Sequence, residues 1–380
     1  MKVNRVEIYP VTIPYRQAGR NREGKITEAG HHVIVKVFTD DGIVGLGEAA
    51  TGAGSIKVFQ AREIAEIENH FAPRVIGEDP FDLEKVWANF QMETTGARQQ
   101  LSPTAASAIM DALYDIMGKA THQPVYKLLG GTVRKKLGVT RSLNVKSPAE
   151  MAEDALRLKE LGYKMITIKV GEDPALDIQR VAAIRKAVGD DYPIEVDANG
   201  GYTPDVAIKT IKKMEEYNIS GVEQPCLRMD LDGMAEVARA VDTPIIADES
   251  AIFLSDVTEI VKRRAADIIC LKPAKSGGMY ISKKMAAVAE AAGFPCSMGS
   301  RHPFGIGAAV IHHFAASTPC VKPPIGYGSP LERLVDDILV DPIIMKDGEV
   351  TVREGPGLGV ELDEGKMKKY ATAAPIVVKA

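Results

Sequence analysis

Five ionisable residues recur at nearly even intervals along the chain. They are Lys169, Asp197, Glu223, Asp248 and Lys272, spaced 24 to 28 residues apart. Each closes a short apolar run, in "MITIKVG", "PIEVDANGG", "ISGVEQP", "TPIIADES" and "DIICLKPAKSGG". Three carboxylates brought together repel one another unless a cation offsets them. An all-oxygen ligand set suits Mg²⁺, with Mn²⁺ as the second choice. No histidine or cysteine stands at these positions, which argues against zinc. A lysine on each side of such a centre suits removal of the proton α to a metal-bound carboxylate, with the metal steadying the enediolate charge. Neighbouring cations and low-dielectric walls are expected to lower the lysine pKa values, so that one is a neutral base near pH 7.

Taken one at a time, these residues have plainer explanations. An aspartate after a strand is commonly a helix cap or turn residue, and "DANGG" and "ADES" would both pass as caps. A lone lysine in "LKPAKSGG" would pass as an ion-pair partner. Five in register, in the order lysine, three acids, lysine, are not explained that way.

The spacing is that of one strand–helix unit. From about Val139 the chain alternates between short apolar strands and amphipathic helices: "GVTRSLN" then "SPAEMAEDALRLKELGY", and so on to "FPCSMGSRH" then "GIGAAVIHHFAAS". "CVKPPIG" is expected to be a last strand. Ser147 and Glu150 form a capping-box pattern, with Pro148 at the first helical position. This rhythm predicts a parallel sheet with right-handed crossovers, and eight strands in succession favour a closed barrel. The five charges then converge on the C-terminal rim, where barrel enzymes carry their sites.

Before the barrel, "VNRVEIYPVTIPY" reads as a strand, and "HHVIVKVFTDDGIVGLGEA" as a hairpin about an Asp-Gly turn. The intervening "RQAGRNREGKITEAG" is expected to be either a solvated loop or a mobile lid that meets an anion. From about Ser55 to Leu129 the pattern is helical, notably in "SPTAASAIMDALYDIMGKA". The tail "GEVTVREGPGLGVELDE" is β-like and is expected to return to the N-terminal part.

The 380 residues are 45% hydrophobic and 26% charged, ordinary globular composition with enough apolar material for a large core. A net charge of −4 gives no electrostatic reason to expect nucleic acid or an anionic membrane as a partner. Cys226, Cys270, Cys296 and Cys320 form no CxxC pair and are expected to be reduced thiols. No segment approaches ~18 uninterrupted apolar residues, so a soluble cytoplasmic protein is expected.

The run "TIKVG…EVDANGG…GVEQP…IADES…CLKPAKSGG" resembles the enolase superfamily, within the muconate-lactonizing-enzyme subgroup of the mandelate racemase/muconate lactonizing enzyme family. The segment "SAIMDALYDIMGKATHQPVYKLLGG" and the "GPGLGVELDE" tail extend the likeness to nearly the whole chain. The resemblance implies an α/β fold. In it, a modified TIM barrel, (β/α)7β, spans residues 129–344. An α+β N-terminal capping domain spans residues 1–128 and is completed by about 345–380. It implies one essential Mg²⁺ held by Asp197, Glu223 and Asp248, with Lys169 and Lys272 as the acid/base pair on opposite faces of a small carboxylate substrate. It also implies a homo-oligomer, and capping-domain loops around 15–30 and 49–56 that contact the distal part of the substrate. Tyr15, Arg20, Thr51 and Asn199 are candidate substrate contacts on this reading.

Two positions depart from the family pattern. Lys-x-Lys on the second barrel strand is here Thr167-Ile168-Lys169. Losing the first lysine should leave Lys169 more basic, and Thr167 still offers a hydroxyl to the substrate carboxylate. At the seventh strand, Ser297, Ser300, Arg301 and His302 replace an acidic end. Arg301 and His302 are expected either to meet a second polar group of the substrate or to cap the next helix or bind the capping domain, and His31 and His32 are weaker candidates for substrate contact, with plain surface residues as the alternative. With both lysines kept, racemisation or epimerisation is favoured. Cycloisomerisation and β-elimination of water use the same apparatus. A non-catalytic metal-binding relative, or an aldolase with Lys272 as a Schiff base, are the readings from other classes.

Overall fold

The computed structural model describes residues 1–20, 26–52, 57–91 and 101–379. Its first sheet is antiparallel, with strand order β13-β1-β2-β3. Strand β1 is Val3–Arg20, β2 is Ile26–Thr39 and β3 is Val44–Ala49. The Asp-Gly turn joins β2 to β3 as expected, with Gly42 at φ +84°, a left-handed conformation that glycine reaches without steric cost.

The segment expected as a loop is largely not one. Strands β1 and β2 stay paired as far as Arg20↔Ile26, with a register shift between Pro14 and Gly19. Residues 15–20 and 26–30 are therefore the arms of a long hairpin. Polar residues do not oppose extension when the backbone groups of both arms are paired. The tip of the lid expected there, residues 21–25, lies outside the described residues, as do 53–56 of the second expected loop.

Helix Pro103–Ala120 packs on β3 and is buried along nearly its whole length. Gly45 and Gly47 allow this. A Cβ on Gly47 would lie 1.8 Å from the carbonyl oxygen of Ala108. The chain end lies on the N-terminal sheet, where β13 (Ile376–Lys379) pairs with β1. The "GEVT" part of the tail behaves differently. Glu349–Thr351 (β12) pairs with Lys136–Gly138 (β4), just ahead of the barrel.

The second sheet has seven parallel strands in chain order. They are β5 (Thr140–Leu143), β6 (Met165–Lys169), β7 (Ile194–Asp197), β8 (Gly221–Glu223), β9 (Ile245–Ala247), β10 (Ile268–Leu271) and β11 (Cys296–Met298). The segment expected as an eighth strand closes the ring through two parallel bridges, Cys296↔Val321 and Val139↔Ile325. It forms no longer ladder because Pro323 and Pro324 have no N–H to donate. Helices alternate with the strands, and the Ser147–Glu150 capping box is present. All four cysteines are free and buried. No helix among the described residues is long and apolar enough to cross a membrane.

Candidate active site

Lys169, Asp197 and Glu223 are direct cross-strand neighbours on β6, β7 and β8. The remaining two are staggered. Glu223 pairs with Ile246, so Asp248 lies two residues further along its strand. Ala247 pairs with Ile269, which puts Lys272 two residues beyond the partner of Asp248. Closing a sheet into a barrel requires such stagger, and steps of two keep every side chain on the same face. Equal spacing in sequence is therefore not equal height, but all five side chains line one cavity at the mouth of the barrel.

Within it, acids and lysines interleave. Lys169 Nζ donates to Asp197 Oδ2 and, at 3.0 Å, to Asn199 Oδ1. Lys272 Nζ donates to Asp248 Oδ2 and lies 3.5 Å from Glu223 Oε1. Neither Asp197 nor Asp248 caps a helix. The caps nearby are Thr203 and Phe253.

Three positioning groups escaped the sequence reading. Lys275 is buried and donates to Asp248 Oδ1 and to the Asp248 carbonyl, both at 2.6 Å, and to the Cys270 carbonyl at 3.0 Å. Gln224 accepts from Asp248 N at 3.1 Å and donates to Ser250 Oγ at 2.7 Å. Glu195 pairs in register with Thr167 and shares the inner face with Asp197. Its place two residues before Asp197 was the signal available in the sequence. Two glycines make room for the chemistry. A Cβ on Gly299 would reach within 2.0 Å of Lys272 Cε, and one on Gly171, at φ +104°, would press on the Ala198 carbonyl.

The electrostatics correct one expectation. Burial disfavours the charge on Lys169, but Asp197 and Glu223 outweigh it and its pKa is raised. Burial likewise opposes the charge on Lys272, and Asp248 outweighs it. The lysines are not lowered here, because carboxylates, not cations, surround them. Burial, then Asp197, pushes Glu223 well up, while Lys272 and Lys275 overcome burial to hold Asp248 well down. Burial and Asp197 bring Glu195 to about 7.

Five acids line this end of the cavity, namely Glu195, Asp197, Glu223, Asp248 and Glu249, against Lys169, Lys272 and Lys275. Counted as ionised, the acids exceed the lysines by two charges, and the raised Glu195 and Glu223 show that the lysines alone do not balance them; a divalent cation fits that excess. Among the described residues, donor atoms of Glu223, Asp248 and Cys270 lie within 4.8 Å of one another. Asp197 falls outside that limit, turned to Lys169 and Asn199. Burial drives the Cys270 thiol well up, and a protonated thiol is a poor ligand. The donors that fit are carboxylate oxygens, as Mg²⁺ prefers.

The other expected contacts separate into two groups. Thr167, Asn199, Ser297, Ser300, His302, Tyr15 and Thr51 line the same cavity. Arg301 also reaches it but spends its guanidinium on the capping domain, donating to the carbonyls of Ala50 at 2.9 Å and Thr51 at 2.8 Å. His31 and His32 do not line it. His32 is fully buried, 2.6 Å from Glu48 and stacked on Phe304, and His31 meets Thr12 Oγ1 at 2.8 Å. The Arg20 side chain lies outside the described residues. His302 has a left-handed backbone, φ 52°, uncommon outside glycine. Desolvation, then Arg333, Arg141, Lys169 and Lys272, keeps its imidazole neutral.

Residues 23–130 match the family described as Mandelate racemase / muconate lactonizing enzyme, N-terminal domain, and residues 150–366 match Enolase C-terminal domain-like. The chain is 30% identical to an N-succinyl-L-Arg/Lys racemase of Bacillus cereus, over 99% of this chain and 100% of that protein. It is 32% identical to muconate cycloisomerase 1 of Rhodococcus opacus, over 89% and 90%. A dipeptide epimerase of Enterococcus faecalis, solved with Mg and the dipeptide L-Leu-L-Tyr, superposes with a TM-score of 0.86 at 31% identity, covering 95% of this chain and 100% of that one.

Proposed function

Given that the chain belongs to the mandelate racemase/muconate lactonizing enzyme family of the enolase superfamily, we propose that it is a Mg²⁺-dependent isomerase that racemises or epimerises a small carboxylate at its α-carbon. The carrying observation is the ring order. Lys169 and Lys272 stand at opposite ends of a row of three acids, each within reach of the acids between them. Asp197, Glu223 and Asp248 would hold a divalent cation, whose charge would polarise the substrate carboxylate and offset the acids that keep the lysines protonated. One lysine takes the α-proton on one face, and the other, held protonated, returns a proton on the opposite face. Asn199 orients Lys169. Lys275 and Gln224 fix Asp248. Thr167 offers its hydroxyl beside Lys169 on the inner face of β6. Cycloisomerisation needs the same lysines, and muconate cycloisomerases are among the relatives. A homo-oligomer in the cytoplasm is the setting we assign on the family resemblance.

The test is α-proton exchange in D₂O with Mg²⁺, followed by NMR and polarimetry across amino acids, N-acyl amino acids, dipeptides and muconates. Exchange with loss of rotation is expected. Lys272→Ala should lower racemisation by about 10²–10⁴-fold and spare exchange on the Lys169 face. Exchange with no compound, despite Mg²⁺ binding, would sink the proposal.

A further inference from the structure

One charge lining the cavity has no answering partner among the described residues. Arg333, in the loop after the last barrel segment, lines the same cavity as the five rim residues. Its Nε is sealed from solvent without a hydrogen-bond partner, and among the described residues its guanidinium donates to none. Its acidic neighbour Glu332 is already engaged. Glu332 Oε2 accepts from Arg141 Nη1 at 3.2 Å and from the Tyr163 hydroxyl, and Oε1 accepts from Ser329 N at 2.8 Å. Two arginines thus share one carboxylate, leaving one positive charge over. Burial, then Arg141, lowers the pKa of Arg333 to about 10, so it is still charged at neutral pH. A guanidinium does not escape by neutralising, and a desolvated charge without a counter-ion is costly.

Tyr15 adds a second unanswered group. Its hydroxyl is buried and has no partner among the described residues, and Tyr15 lines the cavity. It is held against Arg333 by backbone: Tyr15 bridges Leu334, and Arg16 N donates to the Arg333 carbonyl at 2.7 Å. Two donors from two parts of the chain, neither with a partner among the described residues, therefore belong to residues that line one cavity. His302 lines the same cavity, close enough to Arg333, Arg141, Lys169 and Lys272 for all four to disfavour its charge.

We propose that Arg333, with Arg141 and Tyr15, is a second anion subsite that takes a distal carboxylate of the substrate, so that the substrate is a dicarboxylate and not a peptide with a free amine at that end. This rests on the reading above, in which the reacting carboxylate sits at the rim.

Binding of linear α,ω-dicarboxylates from succinate to pimelate, and of the monocarboxylate of equal length, is measured by calorimetry on the full chain with Mg²⁺. At one length the dicarboxylate should bind about tenfold tighter or more. Arg333→Met should bring that ratio near one, and Arg333→Lys should keep part of it. A ratio near one at every length in the unaltered protein overturns the subsite. So does a ratio unchanged in both Arg333→Met and Arg141→Met. Dicarboxylate preference without α-proton exchange on any N-acyl amino acid upholds the subsite and sinks the proposed reaction, whereas exchange without preference does the reverse.

Discussion

The rim of the barrel and the seam between capping domain and barrel both bury charge, on opposite terms. At the rim, Lys169, Lys272 and Lys275 interleave with side-chain acids, and every charge faces a cavity. At the seam, Glu48 and Arg301 are satisfied largely by backbone. Glu48 accepts from Phe304 N at 2.6 Å, Gly307 N at 2.8 Å and His32, while Arg301 holds the Ala50 and Thr51 carbonyls. Side chains satisfied by backbone are fixed struts. Lys169 and Lys272, whose hydrogen bonds go only to side chains, can exchange partners when a cation or substrate arrives, whereas Lys275 is also pinned by two backbone carbonyls.

That contrast can be broken first at Asp248. Asp248→Asn leaves buried Lys275 without its counter-ion. A loss of about 3–5 kcal/mol of stability is expected, with loss of measurable Mg²⁺ affinity. Melting and calorimetry check both, and retained affinity would remove Asp248 from the ligand set. At the seam, Arg301→Met should cost about 1–3 kcal/mol through two unanswered carbonyls. Its Mg²⁺ affinity should be unchanged, and a large drop in that affinity would place Arg301 in the rim instead.

A third test uses the helix Gly305–Ser317, whose N-terminus the seam holds. Burial lowers His312 to about 4, and its Nε2–H donates to the Tyr327 carbonyl at 3.2 Å. The unfolded state, with an ordinary pKa near ~6.5, binds more protons between these values. The contribution of neutral His312 is thus full above about pH 6.5 and fades as pH falls toward 4. Buried Asp111, at about 7, and Asp337, at about 6, act in the opposite sense, so the informative quantity is a difference. His312→Gln should be less stable than the parent by roughly 1–3 kcal/mol at pH 7, and the gap should close near pH 4. A gap independent of pH would mean that His312 is not held neutral.

The smallest effect expected sharpens the rim. Thr167→Lys restores the first lysine of the family's Lys-x-Lys, but Glu195 stands opposite as a ready partner. The basic limb of the pH–rate profile should therefore fall by less than about one unit. A larger fall would show that Glu195 does not offset the new charge.

Much of this was legible in the chain. Alternating strands and helices announced a parallel barrel, and the five charges at unit spacing announced its rim, because side-chain period and strand–helix length are local properties. The capping box at Ser147 and the Asp-Gly hairpin are local in the same way. Arg301 and His32 show the limit. As residue types near the site they were candidates for substrate, and only the position of the Ala50 carbonyl and of Glu48 made them struts. Lys275 and Arg333 show the converse. Neither differs in sequence from a surface cation, yet one locks a ligand-bearing aspartate and the other faces the cavity unpaired.

The sequence by itself determined the alternation of elements, the identity of the rim charges and their order, since each follows from spacing within one or two units. Tertiary structure alone decided the two-residue stagger that sets Asp248 and Lys272 higher than Glu223, the closure of the ring through two isolated bridges in place of a full strand, and the meeting of Tyr15 with Arg333 across more than three hundred residues. Shear, closure and domain contact are properties of the whole chain. No local window contains the partner that decides what a given charge is for.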